Sequence, residues 1–256
     1  MLFDTHAHYD DKRFDDDRDE LLASMPENGV GLILNPGCDI ETSKKAIEYA
    51  EKYSHVYAAV GIHPECIEEI ELDSAMSELK TLALSSKRIK AIGEIGLDYY
   101  WVKEPELRAK QAELLRRQLA LAKELNMPVI IHDRDAHADT LKIVEDFPEV
   151  KGVFHCYSGS TEMAKRLISL GYLISFTGVI TYKNAKKAVE VVENIPLDKL
   201  MIETDSPYMS PEPFRGKRNS SLYVYRMAEA IANIKNIPLD EVINQTTENG
   251  KKLFNI

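Results

Sequence analysis

The fold class predicted by this sequence is α/β, a (β/α)8 TIM barrel formed as a single domain over residues 1–256 with a short C-terminal helical tail. Eight short apolar runs recur along the chain, each nearly continuous in Val, Ile, Leu, Ala or Phe, as strands buried on both faces are. Longer charged segments with one apolar face separate them. A length of 256 residues is what eight such units need. A doubly wound open sheet is the alternative. It would carry a Gly-rich phosphate loop after the first strand, where this chain has His6-Ala7-His8.

The strands are expected at Leu2–Thr5, Val30–Asn35, Val56–Ile62, Ala91–Ile95, Pro128–Ile131, Gly152–Phe154, Leu173–Phe176 and Leu200–Glu203. Helices are expected between them, at Asp17–Met25, Glu41–Tyr53, Ser74–Ser85, Glu106–Leu125, His137–Asp146, Thr161–Leu170 and Asn184–Glu193. Ser220–Ile234 follows the eighth strand, and Leu239–Leu253 forms the helical tail. Asn28-Gly29 and Gly171 mark helix ends, and Asn126-Met127-Pro128 stops the long fourth helix. Leu107, Leu114, Leu115, Leu119, Leu121, Ala122 and Leu125 give that helix its apolar face.

Composition narrows the function classes. No apolar run reaches the length of a membrane span. A strand that starts at residue 1 leaves no room for a targeting segment, so a cytoplasmic protein is expected. Net charge is −10, which argues against nonspecific coating of nucleic acid, although bound cations would reverse the local field at a phosphate site. Three cysteines, Cys38, Cys66 and Cys156, show no C-x-x-C spacing and fit a reducing compartment. All three are expected to be buried and inert.

Chemistry in a (β/α)8 barrel sits at the C-terminal ends of the strands. Strand one ends at His6 and His8, strand three at His63, strand four at Glu94, strand five at His132, strand six at His155 and strand eight at Glu203-Thr204-Asp205. His6 and His8 alternate with Ala7, so both imidazoles point one way. Of seven histidines, five fall at strand ends, far more than scattering would place there. The remaining two, His55 and His137, are expected to face solvent. Any one of these histidines alone reads as an ordinary core or surface group; together with Glu94 and Asp205 they converge on one barrel mouth.

Six ligands, His6, His8, Glu94, His132, His155 and Asp205, exceed what one catalytic metal uses. They fit two divalent ions: one on His6, His8 and Asp205, the other on His132 and His155, with Glu94 bridging. Asp205 is the expected proton acceptor from an attacking water. Glu203 is either a supporting carboxylate, a holder of an extra ion or a buried structural group.

The ordered motifs Asp4-Thr5-His6-Ala7-His8, Gly61-Ile62-His63-Pro64, Gly93-Glu94-Ile95-Gly96-Leu97-Asp98-Tyr99, Ile131-His132-Asp133-Arg134, Phe154-His155-Cys156-Tyr157-Ser158-Gly159, Glu203-Thr204-Asp205-Ser206-Pro207-Tyr208 and Phe214-Arg215-Gly216-Lys217-Arg218-Asn219 run nearly end to end. In this set the chain resembles the TatD-family metal-dependent DNases, a branch of the amidohydrolase-like barrel hydrolases. The resemblance implies metal ligation by the same six residues and hydrolysis of DNA phosphodiesters, commonly from the 3′ end. It departs at one place: Ser220-Ser221 follow the Arg218-Asn219 pair, where the family usually has Glu-Pro. That loop lies on the substrate side, so the departure bears on substrate preference.

Arg134, Arg215, Lys217 and Arg218 fall in loops at the same mouth and are expected phosphate contacts, with Asn219 beside them. Tyr99, Tyr100 and Trp101 follow strand four and either stack on an unpaired base or cover the barrel top. His63, catalytic in this reading, contacts phosphate or gives a proton to the leaving oxygen; a structural hydrogen bond is its rival. Asp98 is placed to orient a cation. The expected partner is DNA, as single strands or ends, with no membrane and no obligate protein partner. Imidazole ligands favour Zn²⁺, Mn²⁺, Fe²⁺ or Ni²⁺ over Mg²⁺ by softness, whereas the resemblance implies Mg²⁺. The competing readings are a hydrolase of a small phosphoester, lactone or cyclic amide, an aminoacyl-tRNA esterase, and a non-catalytic scaffold. Many barrel hydrolases of small molecules bridge their metals with a carboxylated lysine. Here Glu94 ends strand four and Lys90 lies at the wrong end of it.

Overall fold

A computed structural model describes residues 1–68 and 70–256. Its strands are β1 (Leu2–Asp4), β2 (Val30–Pro36), β3 (Val56–Val60), β4 (Ile89–Asp98), β5 (Val129–Arg134), β6 (Gly152–Phe154), β7 (Leu173–Phe176) and β8 (Leu200–Ile202). They form one eight-stranded parallel sheet in sequence order. The sheet curls until β8 meets β1. There Thr5 N donates to Ile202 O at 3.3 Å, Asp205 N to His6 O at 2.9 Å and His8 N to Ser206 O at 2.7 Å. The fold is the (β/α)8 TIM barrel.

The helices are α1 (Arg18–Ser24), α2 (Ile40–Lys52), α3 (Leu72–Ala83), α4 (Pro105–Leu125), α5 (His137–Glu145), α6 (Thr161–Ser169), α7 (Lys186–Asn194), α8 (Tyr225–Lys235) and α9 (Leu239–Phe254). Local chemistry sets their ends. Pro26 follows α1 and opens a separate 3-10 turn, which closes at Gly29 with φ +85°. Asp39 accepts from Thr42 N at 2.7 Å, capping α2. Glu71 accepts from Asp73 N and Ser74 N, so α3 starts two residues before its expected start at Ser74. The expected Ser220–Ile234 helix divides into a 3-10 turn at Ser221–Tyr223 and α8. Among the described residues no helix is long and apolar enough to cross a membrane.

Side chains alternate across the sheet. Ile33, Val60, Ile131, Phe154 and Ile202 pack outward against the helices. Their neighbours Leu34, Ala59, Ile130, Val153 and Met201 cluster on the other face with Phe3 and with Phe254 of α9. Lys90, at the start of β4, donates to Asn255 O at 3.2 Å, which fixes the chain end at the barrel base. The C-terminal helix is thus part of the core, more than the short tail expected.

The largest departure is β4, expected at Ala91–Ile95 and found at Ile89–Asp98. Ile92 and Ile95 both join the outer core, although three residues apart, because the pairing with β5 slips between them. This irregularity lets Glu94 turn inward. Beyond it the ladder continues, pairing Gly96 with His132 and Asp98 with Arg134. Gly96 has φ +156°, and a Cβ there would lie 1.8 Å from His132 O, so only glycine allows the approach.

Candidate metal centre

The mouth of the barrel collects His6, His8, His63, Glu94, His132, His155 and Asp205. Glu94 is 3% exposed and stands at the middle. Its Oε2 lies 3.2 Å from His6 Nε2 and 3.5 Å from His8 Nε2. Its Oε1 lies 2.8 Å from His155 Nε2, 3.0 Å from His132 Nδ1 and 3.4 Å from His63 Nε2. Asp205 Oδ1 approaches His8 Nε2 at 3.5 Å and His6 Nε2 at 3.8 Å. One carboxylate therefore faces two sets of donors, one with each oxygen.

Within each set the nitrogens crowd. His6 Nε2 and His8 Nε2 are 3.0 Å apart, and His132 Nδ1 and His155 Nε2 are 3.3 Å apart. Two nitrogens on a single tetrahedral zinc lie about 3.3 Å apart, given Zn–N bonds of about 2.0–2.1 Å. The donor atoms of His6, His8 and Asp205 all lie within 4.8 Å of one another, as do those of His63, Glu94 and His132. Buried imidazoles and carboxylates aimed at common points suit a divalent metal, and the residues present fit one.

The electrostatics agree. Burial alone would raise the Glu94 carboxyl, but His155, His63 and His6 hold it well below the usual carboxylate range. Asp205 is likewise held down, against burial, by His8 and His6. Burial pushes the His6 and His63 imidazoles below their ordinary value, aided by His155 and His132 respectively. His8, His132 and His155 go the other way, raised against burial by Cys38 and Asp205, by Asp98 and Glu94, and by Glu94 and Glu203 respectively. Ionised carboxylate and neutral imidazole are the forms that bind metal, so a cation here would displace protons from these three.

Supporting groups set the ligands' aim. Asp98 Oδ2 meets His132 Nε2 at 3.0 Å, leaving Nδ1 for the centre. Asp98 orients this ligand, and against burial His132 holds its carboxyl below the ordinary value, with the Arg134 guanidinium adding to the positive charge. Glu203 is fully buried. Its Oε1 accepts from Cys156 N at 2.6 Å and lies 3.4 Å from His155 Nδ1. Among the described residues, its Oε2 and His6 Nδ1 are buried without a hydrogen-bond partner. Asp205 has φ +54°, a left-handed conformation costly for a non-glycine residue. Thr204 beside it is gripped from both sides. Its N–H and hydroxyl donate to Asp4 at 2.8 and 2.6 Å, and its carbonyl accepts from Asn219 Nδ2 at 2.8 Å. Ser221 Oγ also donates to Asp4, at 2.5 Å. Sequence reasoning gave Asp4 no role. The signal was its place two residues before His6.

Several expectations are corrected. Asn219 is fully buried and holds the Thr204 and Tyr208 carbonyls, so it clamps the backbone and does not touch substrate. Arg218 makes a bidentate pair with Asp17 at 2.7 and 2.5 Å. Tyr99 gives its hydroxyl to Asp139 at 2.8 Å and lies under the Arg108 guanidinium. These two serve internal contacts. Arg134 and Arg215 make no ion pair among the described residues. Arg134 lies 3.9 Å from the Tyr100 ring centre and Arg215 lies 4.4 Å from that of Tyr182. Lys217 is exposed. His55 does not face solvent freely, because Nε2 bonds Leu22 O at 3.0 Å. His137 bonds Asp133 at 2.8 Å. The three cysteines are half-buried, and Cys66 Sγ meets Cys38 O at 3.5 Å. Cys38 Sγ lies 3.9 Å from His8 Nδ1, and burial pushes the Cys38 thiol up to about 11 and that of Cys156 to about 12.

Comparison with known proteins places this geometry. The family profile described as TatD related DNase matches residues 3–255. The "uncharacterized metal-dependent hydrolase YabD" of Bacillus subtilis is 45% identical over 259 residues, covering 100% of both chains. YcfH of Escherichia coli, similarly described, is 35% identical, covering 100% of this chain and 96% of its own. The crystal structure of YjjV, a TatD homologue from Escherichia coli, superposes with a TM-score of 0.92 at 34% identity, covering 100% of this chain and 98% of that one. With a profile match over almost its whole length and these relatives, the chain belongs to the TatD family of metal-dependent hydrolases.

Proposed function

We propose that this protein hydrolyses DNA phosphodiester bonds, removing nucleotides from the 3′ ends of single strands, with two divalent ions shared across Glu94. The observation that carries the reading is the Glu94 carboxylate, whose Oε2 faces His6 and His8 while Oε1 faces His132 and His155. His6, His8 and Asp205 would hold one ion and His132 and His155 the other. Mg²⁺, Mn²⁺ and Zn²⁺ are the candidates. Bound there, such ions supply the Lewis acidity that acidifies an attacking water and offsets charge on the attacking and leaving oxygens.

The chain's own groups do the rest. Asp205, kept ionised by His8 and His6, takes the proton of the attacking water. His63 Nδ1 accepts from Glu65 N at 3.2 Å, so its Nε2 carries the proton and points into the centre, toward Glu94. There it meets a phosphate oxygen or the leaving oxygen. Arg134, which makes no ion pair among the described residues, offers its guanidinium to the substrate phosphates, and Arg215 a second. A cytoplasmic setting belongs to the same proposal and rests on the odd, sparse cysteine set.

The test is cleavage of 3′-labelled and 5′-labelled single-stranded oligodeoxynucleotides with Mg²⁺, Mn²⁺ or Zn²⁺. Stepwise shortening from the 3′ end is expected. Chelation should abolish it, and Asp205→Asn should reduce it by about 100-fold or more. No cleavage with any metal would overturn the nucleic-acid reading and turn attention to a small phosphoester, lactone or aminoacyl ester.

A further inference from the structure

Large apolar side chains are exposed at few places in this molecule. Among the described residues these are Met1, Leu84, Tyr100, Trp101, Tyr208 and Met209. Four of the six lie in the loops after β4 and β8, at the same barrel end as the metal centre. Trp101 is the most open of these four at 59%, with Tyr100 at 43%. Leaving an indole in water forfeits its burial, and clustered exposed apolar surface marks a place where something binds.

The Trp101 loop is built to stay put. Trp101 N donates to Asp98 Oδ1 at 2.8 Å, while Asp98 Oδ2 meets His132 Nε2 at 3.0 Å. The backbone of Trp101 is therefore joined to His132 through one carboxylate. Lys103 Nζ and Arg108 each donate to Tyr99 O, at 2.9 and 3.0 Å, and Arg108 Nε donates to Val102 O at 2.9 Å. Tyr100 meets Trp101 edge-on at 4.8 Å. Arg134 covers the Tyr100 ring at 3.9 Å but stands 5.7 Å from the Trp101 ring centre. Tyr208, across the mouth, has Arg13 over its ring at 4.1 Å and its hydroxyl on Asp11 at 3.1 Å. Of the two aromatic sites the more open is at β4, where Trp101 is 59% exposed with Arg134 at 5.7 Å, against 45% for Tyr208 with Arg13 at 4.1 Å.

We propose that Trp101, held by Asp98 and flanked by Tyr100 and Arg134, is a stacking platform for one unpaired base of the strand whose phosphate lies at the metal centre. This rests on the nucleic-acid reading above and adds a specificity element to it. Every base has a flat π face, so the platform selects single-stranded ends without selecting sequence. Arg134 supplies the positive charge that a neighbouring phosphate requires, and cation–π contact with Tyr100 holds it in place. The fixed loop reduces the entropy lost when the base docks.

Trp101 is the only tryptophan in the chain, so intrinsic fluorescence reports this residue alone. The experiment titrates the wild-type protein, in Mg²⁺, with a cleavage-resistant phosphorothioate single strand, then with the same strand lacking its 3′-terminal bases. Quenching by the first strand is expected, with binding about 5- to 30-fold tighter than for the abasic strand. For cleavage of ordinary DNA, Trp101→Ala should raise KM by about the same factor, and Trp101→Phe should recover most of it. Absence of quenching, or equal quenching by the abasic strand, would overturn the platform. Base-dependent quenching without cleavage leaves the platform standing and rejects the nuclease reading. Cleavage without base-dependent quenching does the reverse.

Discussion

The two sides of the barrel mouth position their ligands by different means. Between β4 and β5 the backbone ladder itself reaches the mouth, pairing Gly96 with His132 and Asp98 with Arg134. At the β8–β1 seam the strands stop early, at Ile202 and Asp4, and an isolated bridge between Ala7 and Ser206 continues the ring. There side chains take over from the ladder. Asp4 and Asn219 grip Thr204, and Thr204 precedes Asp205 in its left-handed conformation. A ligand placed by a ladder is insured by many equivalent hydrogen bonds. A ligand placed by a buried carboxylate depends on a few, none of which water can replace.

The largest effect should therefore come from the seam. Asp4→Ala leaves the Thr204 N–H, the Thr204 hydroxyl and the Ser221 hydroxyl without their acceptor. Buried donors stranded in this way destabilise by about 1–3 kcal/mol each, so a loss of about 3–5 kcal/mol is expected by urea denaturation of the purified protein. Metal retention should fall with it. A change below about 1 kcal/mol would show that the seam is held by its backbone contacts after all, and the contrast between the two sides would collapse.

A smaller effect is expected opposite. Asp98→Ala removes the acceptor of His132 Nε2 and of Trp101 N but leaves the ladder beneath intact. Loss of such an outer partner typically weakens metal binding by about 10- to 100-fold. Calorimetric titration with Zn²⁺ or Mn²⁺ would measure it, alongside denaturation of the metal-free protein. Weakened affinity with little loss of metal-free stability sharpens the contrast with Asp4→Ala. A stability loss equal to that of Asp4→Ala would erase it.

The same contrast explains what was legible in the sequence. Strand order and the crowd of histidines were readable because they follow from local period and position: apolar runs end, and a histidine stands at the end. Glu94 was readable as a residue of the mouth, but the extent of its strand and the turn of its backbone were not. Its strand runs on through Ile95-Gly96-Leu97-Asp98, and the slip that turns it inward depends on pairing with β5. Asn219 read as a loop residue open to substrate, because only the folded seam brings its amide to Thr204, fifteen residues back. Asp4 passed unremarked for the same reason, its partners lying about 200 residues away. Arg218 carried charge in the right loop, yet nothing local announces Asp17 as its partner. Long-range hydrogen bonds between polar residues leave no periodic trace, whereas strands and helices do.

The smallest expected effect tests how far from the metal the β5 side is still tied together. His137, at the start of α5, bonds Asp133 Oδ2 at 2.8 Å, and Asp133 Oδ1 accepts from Thr140 Oγ1 at 3.2 Å. The hydrogen bond to Asp133 raises the His137 imidazole above its ordinary value, against the effect of burial. The folded protein thus binds that proton more tightly than the unfolded chain does. The stabilisation is fully present below pH 6.5, the unfolded value, and is lost as pH rises through the raised folded value. Its side chain is 33% exposed, so solvent screening holds the effect to about 0.3–1 kcal/mol. Comparing wild type with His137→Gln across pH 5.5 to about 8.5 should show the wild type losing that increment while the variant stays flatter. Parallel curves would mean that α5 is anchored by Thr140 and its apolar face alone, and that the polar ties of the β5 side end at Asp98 and His132.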